Sequence, residues 1–154
     1  MKLLLIFILA ATAVAQSDSE IVYWPAASLQ EYSTTLEAKE AERKATSASE
    51  YLANLGNYKF EILRRDASGA GELHQNWTDV FVVQGGEATI LYGGEIEDAK
   101  ETASGEIRGP RMVKGKSQKI SAGDVFVVPP GVAHQTIVEA GKSFLTLIVK
   151  IEKR

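Results

Sequence analysis

From Asn57 onward the apolar positions of this chain alternate, and before it they do not. In "YKFEILRR" Tyr58, Phe60 and Ile62 share one side of a period-two pattern. "ASGAG" then breaks the run, and "DVFVVQGGEATILYGG" resumes it as two short strands around Gly85 and Gly86. The next stretch, "IEDAKETASGEIRGPRMVKGKSQKISAGD", is polar and glycine-rich, which predicts a long loop carrying one or two weak strands. "DVFVVPPGVAHQTIVEAGKSFLTLIVKIEK" closes the chain with three strand candidates, separated by Pro129-Pro130-Gly131 and Ala140-Gly141. Short strands at regular spacing with Gly and Pro turns predict an all-β barrel or sandwich.

The N-terminal part follows other rules. Residues 16–25 form an extended leader whose apolar cluster is "IVYW". Ser28 offers a helix N-cap and Glu31, three residues on, completes a capping box. Leu29, Tyr32, Leu36 and Ala41 then give a thin helical stripe. A second short helix is expected over Ser49–Leu55, with Gly56 as its stop. This part reads as a peripheral extension without a core of its own.

The first fifteen residues carry Lys2, an apolar run from Leu3 to Ala10, and Ala13-Val14-Ala15. That is the charged, apolar and A-x-A pattern of a secretory signal peptide, too short an apolar run to span a bilayer comfortably. The expected division is therefore 1–15 signal peptide, 16–56 partly helical extension and 57–154 β-barrel. The expected location is secreted or periplasmic, with no membrane attachment after cleavage.

Composition narrows the function. The 154 residues suit one domain and contain no cysteine, so neither a disulfide nor a thiol nucleophile is available. Loss of Lys2 moves the net charge from −3 to about −4. A mildly acidic domain without a basic stripe is a poor nucleic-acid binder. The basic residues at Arg64-Arg65, Lys114 and Lys116 read as solvated surface. Nucleophile-elbow, phosphate-loop and dinucleotide glycine patterns are absent from the sequence.

Two stretches carry candidate chemistry. In "GDVFVVPPGVAH" Pro130 fixes φ at the first central position of a turn and Gly131 supplies a positive φ at the second. His134 follows at the start of the next strand. The spacing Gly123, Pro129, Gly131, His134 resembles the second signature of the cupin superfamily. Where that pattern ends in Asn, this chain has Val138. The first cupin signature, His-x-His, three or four residues, Glu, six residues, Gly, is similar to "GELHQNWTDVFVVQGG". Gly86 takes the Gly position, Asp79 the Glu position, His74 the second His and Glu72 the first. Two ligand types are thus exchanged, and Asp66 stands where a Gly is usual. A register using His74 and Asn76 makes a neutral amide do a ligand's work and ranks behind.

The resemblance covers about Tyr58 to Lys150 and implies an antiparallel jelly-roll barrel with a short N-terminal helical extension. It also implies a divalent metal ion held by Glu72, His74, Asp79 and His134. Two imidazoles and two carboxylates around such an ion are neutral overall and suit Fe, Mn, Zn or Ni. Residues 72 and 74 share a strand face, whereas Asp79 has opposite parity, so the chain must turn or bulge through Gln75–Thr78. Asp is one methylene shorter than Glu, so the backbone moves in or Asp79 acts through a water. Trp77 is a candidate pocket wall, and Phe81, Val83, Val125 and Val127 are candidate packing positions. Asn76-Trp77-Thr78 is a glycosylation sequon inside the same loop, and Gly105–Gly109, "GEIRG", is distinctive without a chemical role.

The function implied is that of a metal-dependent enzyme of dioxygenase, isomerase or lyase type acting on a small molecule. The alternative is a non-catalytic module that binds a small molecule or sugar. Many cupins pair edge to edge, which implies a homodimer.

Overall fold

The computed structural model describes residues 21–154. The expected signal peptide lies outside the described residues. Among these described residues one helix, α1 (Ala26–Arg43), precedes twelve strands. They are β1 (Ser47–Asn54), β2 (Tyr58–Arg65), β3 (Gly71–His74), β4 (Trp77–Tyr92), β5 (Glu95–Ile96) and β6 (Lys100–Ala103). Then come β7 (Glu106–Gly109), β8 (Met112–Val113), β9 (Lys116–Ser121), β10 (Val125–Val128), β11 (His134–Ile137) and β12 (Phe144–Glu152). Among the described residues no helix is long and apolar enough to cross a membrane.

The strands curl into two antiparallel layers that share β4. Its first half pairs with β12 and β10, in a layer continued by β2 and β1. Its second half pairs with β9 and β11, in a layer continued by β3, β7 and β6. The two strands expected around Gly85 and Gly86 are thus one continuous strand that changes layer there. Gly86 has φ +72, and a Cβ on it would stand 1.9 Å from the Ser143 carbonyl oxygen. Only glycine lets β4 pass so close to the start of β12.

β2 shows how the core is divided. Its even positions face outward under α1, where Ile62 packs with Leu36, Ala48 and Leu145. Its odd positions Glu61, Leu63 and Arg65 line a cavity inside the barrel. The apolar face of "YKFEILRR" therefore seats the helix, and the polar face points into the interior. Arg64 is buried against Glu40 of α1, with Asp66 at 2.9 Å. The barrel interior is filled by Phe81, Val128 and Ile148 in one cluster and by Val83, Ile90, Ile120 and Phe144 in another.

Several expectations are corrected. Ser49–Leu55 is strand, not helix: β1 pairs with β2 along its length, with a bulge between Tyr51 and Ala53. Cross-strand pairing there outweighs the helix propensity of Ala, Leu and Glu. Gly56, with φ +75, turns that hairpin instead of ending a helix. The first helix starts at Ala26 after Pro25 with no side-chain cap, so Ser28 lies in its first turn. Its buried stripe ends on Glu40 because the Arg64 partner lies beneath it, and Ala41 is exposed. The Arg64-Arg65 pair is not solvated surface. Residues 95–121 hold five short strands instead of one or two. Val125 and Val127 are 60% and 56% exposed, because β10 turns those positions outward and Phe126 inward.

Candidate metal centre

The four residues singled out in the two signatures come together inside the barrel, and Glu72, Asp79 and His134 of them line a cavity. β3 and β11 are neighbours, and their register sets His134 against Glu72. The Pro129–Val132 turn is tied to the end of β3 by the Gly131 amide, which donates to the His74 carbonyl at 2.8 Å. Gly131 has the positive φ, +78, that this turn requires. At Gln75 and Asn76 the chain passes from one layer to the other, which brings Asp79 to the same interior despite its parity.

His74, His134 and Asp79 are almost fully buried, and Glu72 is partly so. His74 Nε2 lies 3.6 Å from Glu72 Oε2 and 3.3 Å from Asp79 Oδ2. His134 Nε2 is 4.0 Å from that same Asp79 oxygen, and the two imidazole centroids are 5.5 Å apart. One donor atom each from Glu72, His74 and His134 falls within 4.8 Å of the others.

The far side of each ring is fixed. His74 Nδ1 is 2.6 Å from Glu106 Oε2, and His134 Nδ1 is 3.2 Å from the Val132 carbonyl oxygen. An Nδ1–H donated to those acceptors directs each Nε2 toward the acids at the centre of the cluster, the arrangement of histidines that ligate a metal. The donor set therefore fits a divalent ion bound by two imidazoles and a carboxylate.

Asp79 is placed differently from the other three. Lys150 of β12 is its cross-strand partner, and the ammonium donates to Oδ1 and Oδ2 at 2.8 and 2.9 Å. The same Nζ is 3.5 Å from His74 Nε2. Both Asp79 oxygens are thus engaged by a cation.

β7 supplies the rest of the support. Arg108 stands opposite Glu72 and bonds its carboxylate at 2.5 Å, and Glu106 stands opposite His74. The "GEIRG" stretch, without a role on sequence grounds, is the partner strand of the site. Its signal lay in antiparallel complementarity. Read backward, Gly109-Arg108-Ile107-Glu106 matches Gly71-Glu72-Leu73-His74 with every charge opposed. Trp77 does not wall the cavity; its ring lies under the Lys59 ammonium at 4.1 Å.

Electrostatics follow from this packing. Burial weighs against charge on Glu72, but the His74 hydrogen bond and the Arg108 charge outweigh it and hold the carboxyl near 2. Burial likewise opposes a charged His74, yet hydrogen bonds to Asp79 and Glu72 raise it to about 9. His134 moves the other way, held below its ordinary value chiefly by burial.

No protein-family model matches the chain, and no curated protein matches it. Solved structures do. A polyketide cyclase, RemF, from Streptomyces resistomycificus superposes with a TM-score of 0.50 at 13% identity, over 69% of this chain and 65% of the cyclase. The DMSP lyase DddQ from Ruegeria pomeroyi DSS-3 gives 0.50 at 16% identity, over 72% of this chain and 49% of the lyase. A Klebsiella pneumoniae protein with a double-stranded β-helix domain gives 0.50 at 16% identity, over 69% and 76%. The chain thus spans about half to two thirds of the two enzymes it resembles. The fold is that of the cupins: an antiparallel, double-stranded β-helix with an N-terminal helix packed outside.

Proposed function

We propose that this cupin-fold chain binds a divalent metal ion through Glu72, His74 and His134 and is an enzyme acting on a small molecule. The observation that carries the reading is the orientation of the two imidazoles, each with Nδ1 on an acceptor and Nε2 turned toward Glu72. A divalent ion held there supplies Lewis acidity or, where it is redox-active, an oxygen-activating centre. Iron, manganese, zinc and nickel all suit the donor set.

The chain's own groups do the rest. Glu106 and the Val132 carbonyl keep the rings in one orientation, and Arg108 restrains the Glu72 carboxylate. Asp79, which the cupin signature puts among the ligands, serves here to hold Lys150 beside the ion's place. The Lys150 ammonium lines the cavity and offers a hydrogen-bond donor to whatever enters it. The cavity, of about 240 Å³, is below the ~300–1,000 Å³ usual for drug-sized ligands, which favours a small substrate. The two superposed enzymes, a polyketide cyclase and a DMSP lyase, make a catalytic role the more economical reading, though a shared fold does not transmit an activity. We propose also that the mature protein works outside the cytoplasm, on the strength of the N-terminal charge and apolar pattern.

Elemental analysis of the purified protein tests the metal centre. One ion per chain is expected, lost in His134→Ala. A wild type without stoichiometric metal contradicts the centre, and undiminished uptake by His134→Ala contradicts the ligand assignment. For catalysis, a chelator-sensitive turnover within a panel of small substrates is expected; metal uptake without any turnover favours the non-catalytic binding module.

A further inference from the structure

Arg65 has no acid of its own. Arg108 is paired with Glu72, and Lys150 with Asp79. Among the described residues Arg65 has no carboxylate within ion-pair distance and makes no side-chain hydrogen bond, and its Nε is buried without a partner. Arg65 is half-buried, and a guanidinium in such a place without a direct ion pair is poised to take a carboxylate.

Its position is built. Arg65 ends β2, and its guanidinium lies flat against Gly69, where a Cβ would stand 2.9 Å from Nη1. Gly69 is itself pinned to β11: its amide donates to the Thr136 carbonyl at 2.9 Å, and its carbonyl accepts from Gln135 Nε2 at 2.7 Å. The planar fork is therefore held on the strand that carries His134, in the cavity that Glu72 and His134 also line. Glu61 and Glu72, which line the same cavity, favour the Arg65 charge through space, but neither forms an ion pair with it. The cavity walls carry Glu61, Glu72 and Asp79 against Arg65, Arg108 and Lys150, so their formal charges balance. A bound divalent ion tips that balance toward an anion.

We propose that Arg65 anchors the carboxylate of a small organic acid lying in this cavity beside Glu72 and His134. A guanidinium matches a carboxylate with two parallel N–H donors, and its planar fork loses little freedom on binding. The inference rests on the metal-centre reading for the ligand's other end, while the anchor itself is a property of Arg65.

Pyruvate and its neutral counterpart pyruvamide are suitable probes, titrated calorimetrically into the full chain with and without Mn(II). Pyruvate is expected to bind the Mn(II)-loaded protein at least tenfold more tightly than pyruvamide. Arg65→Gln is expected to remove at least tenfold of that affinity with Mn(II) stoichiometry unchanged, and Arg65→Lys to restore part of it. Gly69→Ala, which displaces the guanidinium while leaving Arg65 in place, is expected to weaken pyruvate binding as well, so the test does not depend on one variant folding. Equal binding of the two probes, undiminished binding by Arg65→Gln and Gly69→Ala, or no pyruvate binding by wild type overturns the anchor. Arg65-dependent pyruvate binding in a protein that takes up no Mn(II) overturns the metal centre instead and leaves the anchor standing.

Discussion

Lys150 faces Asp79 directly across the β12–β4 ladder, its ammonium within 2.9 Å of both carboxylate oxygens and 3.5 Å from His74 Nε2. A fixed positive charge so close to a proposed ligand nitrogen would oppose a divalent ion, and it occupies Asp79, the fourth residue of the two signatures. Lys150→Met is therefore expected to tighten metal binding by about tenfold or more, since like charges a few ångströms apart repel by several kcal/mol even when partly screened. The same change leaves buried Asp79 with His74 as its nearest partner, so the metal-free variant is expected to melt below wild type and to recover when metal is added. Parallel metal titrations and thermal melts check both; weaker metal binding by the variant contradicts the opposing role.

In the proposed centre Glu106 holds His74 at Nδ1 and lies 3.9 Å from Arg108, so its main effect on a bound ion would come through His74. Its loss as Glu106→Gln keeps the shape but weakens the acceptor on Nδ1, so metal affinity is expected to fall about 10–100-fold with stoichiometry unchanged. Competition against a chelator of known affinity measures it.

The raised pKa of His74, about 9, makes the centre pH-dependent. A group whose folded value lies above its ordinary 6.5 contributes stability that is complete below about 6.5 and is lost as pH rises through 9. The metal-free protein is thus expected to lose stability between pH 7 and about pH 9.5. The metal-loaded protein, in which no proton sits on Nε2, is expected to lose none from this source. Glu72 has the opposite sign: its contribution is present above about 4.5 and is lost as pH falls through 2. Melting curves across pH with and without metal, together with proton release measured in buffers of different ionisation heat, test the assignment.

Away from the site, Glu40 of α1 and Arg64 of β2 form an ion pair in which both side chains are buried. Glu40→Ala leaves Arg64 with Asp66 and the more distant Glu37, so a loss of about 3 kcal/mol is expected, at the low end for a broken buried pair. Replacing both, Glu40→Leu with Arg64→Met, is expected to restore most of it. Denaturant unfolding of the three variants gives the comparison.

What the sequence made legible is the part set by spacing and turn chemistry. The Pro129-Pro130-Gly131 turn and the gathering of Glu72, His74, Asp79 and His134 depend on local backbone requirements or fixed offsets. What it hid depends on pairing between distant segments. Lys150 is 71 residues from Asp79 and Arg108 is 36 from Glu72, and only the sheet register brings them together. The same long-range pairing turned Ser49–Leu55 from an apparent helix into β1. The outward-facing apolar side of β2 was visible as a stripe, but the helix it serves could be located only in three dimensions.

Anomalous diffraction from a crystal of the mature protein soaked in Mn(II) or Co(II) tests the central claim most directly. The account predicts one peak per chain, within bonding distance of a Glu72 carboxylate oxygen, His74 Nε2 and His134 Nε2, with Asp79 still on Lys150. A cavity without a peak, or an ion bound elsewhere on the molecule, contradicts it.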